Sequence, residues 1–220
     1  MLPILEETMR LTVLGATGGI GGHVVRQALD RGFAVTAVVR DPARLRVTHP
    51  ALETVTVPDL AATAALGPAL RGSDAVLSGI GPRGRHDGPV ASTATAHLLT
   101  AMRTAGVRRL VAVSAAPVGP VPDGDTFVNR RVLTPLVSAV LKQVYADLRE
   151  MEQALADSDA EWTVVRPPKL VNKPLTGRYR IVVGGNVARG TTIGRADVAH
   201  AMLAALDDPA TIRRPFGIAY

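Results

Sequence analysis

The stretch Arg10–Arg40, RLTVLGATGGIGGHVVRQALDRGFAVTAVVR, decides the fold. Arg10 to Leu14 is an apolar-rich run that stops at Gly15, the pattern of a strand buried in a parallel sheet. Gly15, Gly18 and Gly21 follow at G-x-x-G-x-x-G spacing. His23 to Arg31 then has helical periodicity, with Val24, Val25, Ala28 and Leu29 on one side, and Gly32 is placed to end that helix. Phe33 to Val39 is a second apolar strand. The unit is strand, glycine turn, helix, strand.

A strand that turns straight into a helix leaves the first N–H groups of the helix unpaired. Those donors, with the helix dipole, favour an anion. A pyrophosphate comes close only where no side chain stands in the way, which glycine ensures. The glycine triplet gains weight from its setting, a strand–turn–helix–strand unit of about 30 residues. The alternative for the same glycines is a tight connection that holds no ligand.

The end of the second strand selects the nucleotide. An acidic residue there accepts hydrogen bonds from the adenosine ribose of NAD, whereas an arginine accommodates the 2′-phosphate of NADP. This chain has Arg40 at the tip, then Asp41, Pro42 and Arg44. The planar guanidinium fork suits a phosphate. Asp41 comes one residue too late for the ribose and is read as the start of a turn with Pro42. The expected cofactor is therefore NADP (NADPH); the bland alternative is that Arg40 and Arg44 are ordinary solvated charges.

Working outward, Glu53–Val57 reads as a third strand and Ala61–Leu70 as an Ala-rich helix. Asp74–Ser78 is a fourth strand, running into Gly79-Ile80-Gly81-Pro82. A polar loop, Arg83–Pro89, leads to a long helix, Val90–Ala105, and Arg109–Val113 is strand five, followed by Ser114. After a proline-bearing loop, Val118–Asn129, residues Arg130–Ala156 read as helix, and Trp162–Arg166 as strand six, stopped by Pro167-Pro168. A loop then reaches Arg178–Val183, read as a strand. Arg195–Leu206 is a last helix and Phe216–Ala219 a last strand. Strands alternating with helices predict an α/β fold: a Rossmann-type doubly wound parallel sheet, one domain over residues 1–220 with a small C-terminal extension. Ligands of such sheets bind outside the carboxyl ends of the strands, where Gly15–Gly21, Arg40, Asp59, Gly79–Gly81 and Ser114 all fall.

Composition bounds the function. The chain has 220 residues, of which 47% are hydrophobic and only 3% aromatic, so the core is built from Val, Leu, Ile and Ala. With no cysteine, the chain has no disulfide, zinc–thiolate site or cysteine nucleophile, which fits a cytoplasmic location. The net charge of +6 raises nucleic-acid binding, but the basic residues are dispersed and little aromatic surface is interleaved to stack bases. Asp and Glu show no spacing that suggests a metal site. No segment approaches the roughly 18 consecutive apolar residues of a membrane span. Met1–Thr8, with Glu6 and Glu7 and no basic stretch, reads as a short leader rather than a signal peptide.

GATGGIGG (15–22), VVRDPARL (38–45) and SDAVLSGIGP (73–82) resemble the atypical short-chain dehydrogenase/reductases. Within them, WTVVRPPKLVNKPLTGRYRI (162–181) resembles the flavin reductase and biliverdin IX-beta reductase group of the NmrA-like NAD(P)-binding type. The resemblance runs from Met9 over nearly the whole chain. It implies NADPH and hydride transfer to a flavin, quinone or tetrapyrrole-like acceptor. It also implies roles: Gly15, Thr17, Gly18, Gly19 and Ile20 on the pyrophosphate; Arg40, with Arg44, at the 2′-phosphate; Asp59 and Leu60 beside the adenine. Gly79, Ile80 and Gly81 would lie under the ribose and phosphates. Ser114 would approach nicotinamide and substrate, and Pro167, Pro168 and Lys169 would edge the nicotinamide pocket. The catalytic candidates are thus Ser114 and Lys169.

Lys169 departs from that group, in which a histidine commonly stands there. A lysine, with an unperturbed pKa of about 10.4, is a poor proton shuttle at neutral pH. Tyr145 is followed four residues on by Arg149 rather than by the lysine of a Tyr-x-x-x-Lys pair, so it reads as a helix-face tyrosine near the core. A hydride acceptor that takes its proton from solvent fits that absence. The rival expectation is a non-catalytic NADP(H)-binding redox sensor of the NmrA type; the sequence leaves the oligomeric state open.

Overall fold

The computed structural model describes residues 8–59, 63–81, 84, 88–122 and 141–220. Expectations for Met1–Glu7, Leu60, most of the Arg83–Pro89 loop, most of Val118–Asn129 and all of Arg130–Val140 lie outside them. Strands β1 (Arg10–Leu14), β2 (Ala34–Val39) and β3 (Leu52–Thr56) flank helix α1 (Gly21–Asp30) and precede α2 (Thr63–Leu70). Then come β4 (Ala75–Ser78), α3 (Val90–Ala105), β5 (Arg109–Val113), α4 (Lys142–Ala156) and β6 (Glu161–Arg166). The chain closes with β7 (Lys169–Val171), β8 (Arg180–Val183), β9 (Thr192–Gly194), α5 (Arg195–Ala204) and β10 (Arg214–Ala219).

Eight strands form one sheet in the order β3-β2-β1-β4-β5-β6-β10-β8. Sequence order reverses between β1 and β4. The chain builds outward from β1 in one direction, then returns to place β4 on its other side. Leu14, the last residue of β1, stands opposite Val38 of β2 and Ser78 of β4, so the three strands end level. Their carboxyl ends open a crevice at that switch point, where doubly wound sheets bind ligands.

Alternation along the central strands feeds two cores. Leu11, Val13, Leu77, Val111 and Val165 face α1 and α5, meeting Val24, Val25, Ala28, Val198 and Met202. Leu14, Val76, Leu110, Ala112 and Val164 face α2, α3 and α4, meeting Leu66, Leu70, Leu98, Met102, Met151 and Leu155. The apolar stripe predicted for α1, Val24, Val25, Ala28 and Leu29, is buried as a set, and Gly32 follows the helix with φ +83°.

Two features differ from the sequence reading. The sheet is not parallel throughout: β8 pairs antiparallel with β10 at the edge. Periodicity locates a strand but carries no direction. The stretch around Lys169, read as loop, contains β7, which pairs parallel with β9 in a two-stranded sheet of its own. At three residues each, both are too short for alternation to show.

The PLTG segment, residues 174–177, finds its reason in α5. Asp197, fully buried, accepts hydrogen bonds from the N–H groups of Thr176 (3.0 Å) and Gly177 (2.8 Å), from the Thr176 hydroxyl (3.1 Å) and from Tyr220 Oη (2.6 Å). Burial opposes the charge of this carboxylate, but the hydrogen bonds from Tyr220, Gly177 and Thr176 outweigh it and hold its pKa below the usual value. The segment is a tether onto α5.

Candidate active site

Each glycine of the first turn answers a steric demand. Gly15 has φ +74°, and a Cβ on it would meet the carbonyl of Gly79 at 2.9 Å. A Cβ on Gly21 would stand 2.2 Å from the Gly15 oxygen, so only glycine lets α1 start this close to β1. Gly18 N–H closes the turn onto Gly15 O at 2.8 Å.

The helix start is left open. Ile20 occupies the N-cap position of α1 without a side-chain cap, and no acidic residue lies in the first turn. Among the described residues, the N–H groups of Gly19 and Ile20 meet no acceptor. Such orphan donors at the positive end of a helix dipole suit an anion. The fit to a dinucleotide diphosphate therefore rests on bare backbone, as the sequence spacing predicts.

A cleft of about 610 Å³ runs across the sheet's carboxyl edge. One end is walled by Val38, Val39, Arg40 and Asp59. Its middle is the glycine turn from Gly15 through Thr17, Gly18, Gly19 and Ile20, faced by Gly79, Ile80 and Gly81, with Arg195 beside it. The far end is largely apolar: Pro89, Val90 and Ala94 at the start of α3, Val144 and Leu148 of α4, Val113 and Leu170, with Thr93 and Ser114 as its hydroxyls. The volume and the polar-to-apolar gradient suit a dinucleotide.

Ser114 extends β5, its N–H donating to Val165 O at 2.8 Å. Its side chain is buried, and among the described residues Oγ has no hydrogen-bond partner. A buried hydroxyl left unpaired costs free energy, so a partner from a bound molecule is the natural completion. Arg40 stands exposed at the tip of β2. Asp41 turns away to cap the next turn, its Oδ1 accepting from Ala43 N–H at 3.1 Å. That is the turn role read from the sequence.

Four sequence candidates do not line the cleft. Arg44 is exposed in the short helical turn Pro42–Arg44, past the strand tip. Pro167 is buried and Pro168 half-buried, but neither is among the cleft's walls. Lys169 is exposed, while its neighbour Leu170 faces the cleft. Successive residues of a strand point to opposite sides, and the pairing of β7 with β9 turns Leu170 inward. Leu60 lies outside the described residues. Tyr145 is buried with Leu148 and Met151, and burial raises its pKa. It is a core tyrosine.

Residues the sequence reading passed over include Thr93, Val144, Leu148, Leu170 and Arg195. Val144 and Leu148 belong to an apolar helix stripe indistinguishable from core, Thr93 is one polar residue of a long helix, and Leu170 falls in a stretch read as loop. Arg195, at the first residue of α5, is brought in by tertiary folding alone.

Comparison with known proteins gives a consistent picture. A family profile described as NAD(P)H-binding matches residues 15–209. The chain is 36% identical over 167 residues to a (4-alkanoyl-5-oxo-2,5-dihydrofuran-3-yl)methyl phosphate reductase of Streptomyces griseus, covering 76% of this chain and 50% of that protein. It is 37% identical over 193 residues to a 3-diazoavenalumate denitrifying reductase of a Streptomyces species, covering 78% and 59%. The chain thus spans between half and three-fifths of the length of these two curated relatives. Among solved structures, a short-chain dehydrogenase/reductase of Veillonella parvula in complex with NADP superposes with a TM-score of 0.81 over 96% of this chain and 94% of that one. At 19% identity that likeness is one of fold.

Proposed function

Taking as premise that the chain belongs to the NAD(P)H-binding family, we propose that it is an NADPH-dependent reductase acting on a flat conjugated acceptor such as a flavin or a quinone. One observation carries the reading. A single cleft joins an uncapped helix start on bare glycine to an arginine at one end and to an apolar chamber with an unpaired serine hydroxyl at the other. When bound, NADPH supplies the hydride; the protein supplies position and a low dielectric.

The residues divide the work. The N–H groups of Gly19 and Ile20 hold the diphosphate, Arg40 pairs with the 2′-phosphate, and Asp59 borders the adenine. Ser114 Oγ donates to or accepts from the nicotinamide amide or the acceptor. Val90, Ala94, Val144, Leu148 and Leu170 exclude water and offer a flat apolar seat. The proton that completes the acceptor comes from solvent, because no tyrosine, lysine or histidine is among the residues described as lining the cleft. The reductase names of the curated relatives, and the NADP in the Veillonella structure, support this direction.

Purified protein mixed with NADPH and FMN, riboflavin or a small quinone is expected to oxidise NADPH well above the background without protein. That no tyrosine, lysine or histidine is among the described residues lining the cleft also favours a second reading, an NADP(H)-binding redox sensor. Tight NADPH binding without turnover on any of those acceptors would decide for it.

A further inference from the structure

Gly15, Gly18 and Gly21 are held to glycine by backbone: one by its positive φ, the others because a Cβ would press on the Gly15 oxygen at 3.1 and 2.2 Å. Gly19 is not. Its φ is unexceptional, and among the described residues the atoms a Cβ on it would meet within 4 Å are Cδ (2.8 Å) and Nε (2.9 Å) of Arg195. An arginine side chain lies on this bare position. That side chain arrives from the first residue of α5, and its Nη1 donates to Asn172 Oδ1 at 2.7 Å. Among the described residues, neither ion pair, Arg108–Glu161 or Arg166–Glu152, involves it. The guanidinium therefore lies over the turn whose Gly19 and Ile20 N–H groups meet no acceptor among the described residues, and both line the same cleft. The local field is positive enough to be felt by His23 on α1, whose pKa is lowered by burial, then by Arg26 and Arg195.

We infer that Arg195 is an anion clamp: it closes on the phosphoanhydride of the bound dinucleotide from the side opposite the α1 donors, with Gly19 kept bare to let it lie there and Asn172 aiming it. The inference rests on the dinucleotide reading above. A guanidinium fork can take two oxygens of a diphosphate at once, which an N–H donor cannot. The diphosphate is common to NADPH and NADH. Arg195 therefore sets affinity for both, whereas Arg40 separates them.

Fluorescence titration of the whole protein with NADPH tests the clamp, with the melting temperature followed in parallel. Arg195→Ala is expected to weaken NADPH about tenfold, the size of one lost charge-assisted contact, at an unchanged melting temperature. Arg195→Lys keeps the charge without the fork and recovers part of the loss. Gly19→Ala displaces the arginine and costs a similar factor, but adds little to Arg195→Ala. Unchanged affinity in Arg195→Ala overturns the clamp, whether or not the melting temperature falls. Full additivity of the two substitutions overturns the pairing of Gly19 with Arg195. Failure of the wild-type protein to bind NADPH removes the dinucleotide reading itself, and is distinguishable because it appears without any substitution.

Discussion

In the proposed function, Arg40 carries the choice of nucleotide at the scale of a single side chain. It stands exposed at the tip of β2 and lines the end of the cleft, while Asp41 is occupied in capping its own turn. Arg40→Glu replaces a phosphate partner by a repelling charge. NADPH affinity should fall about 100-fold, equivalent to about 2.8 kcal/mol, with NADH changed by less than about threefold. Equal losses for both would remove the 2′-phosphate assignment. Arg40 and the glycines were readable because their meaning lies in short spacings. Lys169 and Leu170 were not: which of two neighbours faces a cleft depends on the partner strand, and β9 is far along the chain. Arg195 was unreadable for the same reason, since an arginine opening a helix looks like any solvated charge until the fold lays it on Gly19.

At the scale of elements, the apolar end of the cleft depends on how α3 and α4 are tied. Pro89 cannot cap α3 with its side chain, and the orphan N–H groups of Ala91 and Ser92 are taken instead by Asp147 of α4, each at 2.8 Å. This buried carboxylate fixes the walls given by Val90 and Ala94 to those given by Val144 and Leu148. Asp147→Ala should cost about 2 kcal/mol of unfolding free energy, read as a lower denaturant midpoint, with Asp147→Asn losing less. An unchanged midpoint would show that water serves these donors equally well. The helices themselves were legible as spans, α1 from its apolar stripe. The bond between them was not, because an aspartate in mid-helix gives no hint that it caps a different helix. The PLTG segment is a parallel case: the sequence marks it, and only the structure shows Asp197 of α5 gathering its N–H groups.

For the whole molecule, the order of strands is what turns scattered motifs into one site. The reversal between β1 and β4 sets the glycine turn after β1 against Gly79 after β4, closely enough that neither could carry a side chain without disturbance. The doubly wound architecture followed from alternating strands and helices; the antiparallel β8 did not, since periodicity marks a strand without its direction. No helix among the described residues is long and apolar enough to cross a membrane. The family assignment, the uncapped α1 and the continuous cleft all converge on a nicotinamide dinucleotide as the molecule this surface is shaped for. Isothermal titration of the folded protein with NADPH and with NADH tests that most directly. Saturable heat with NADPH, at least tenfold tighter than with NADH by the one charge-assisted phosphate contact they do not share, is the predicted result. No heat with either dinucleotide, from protein shown to be folded, would contradict it.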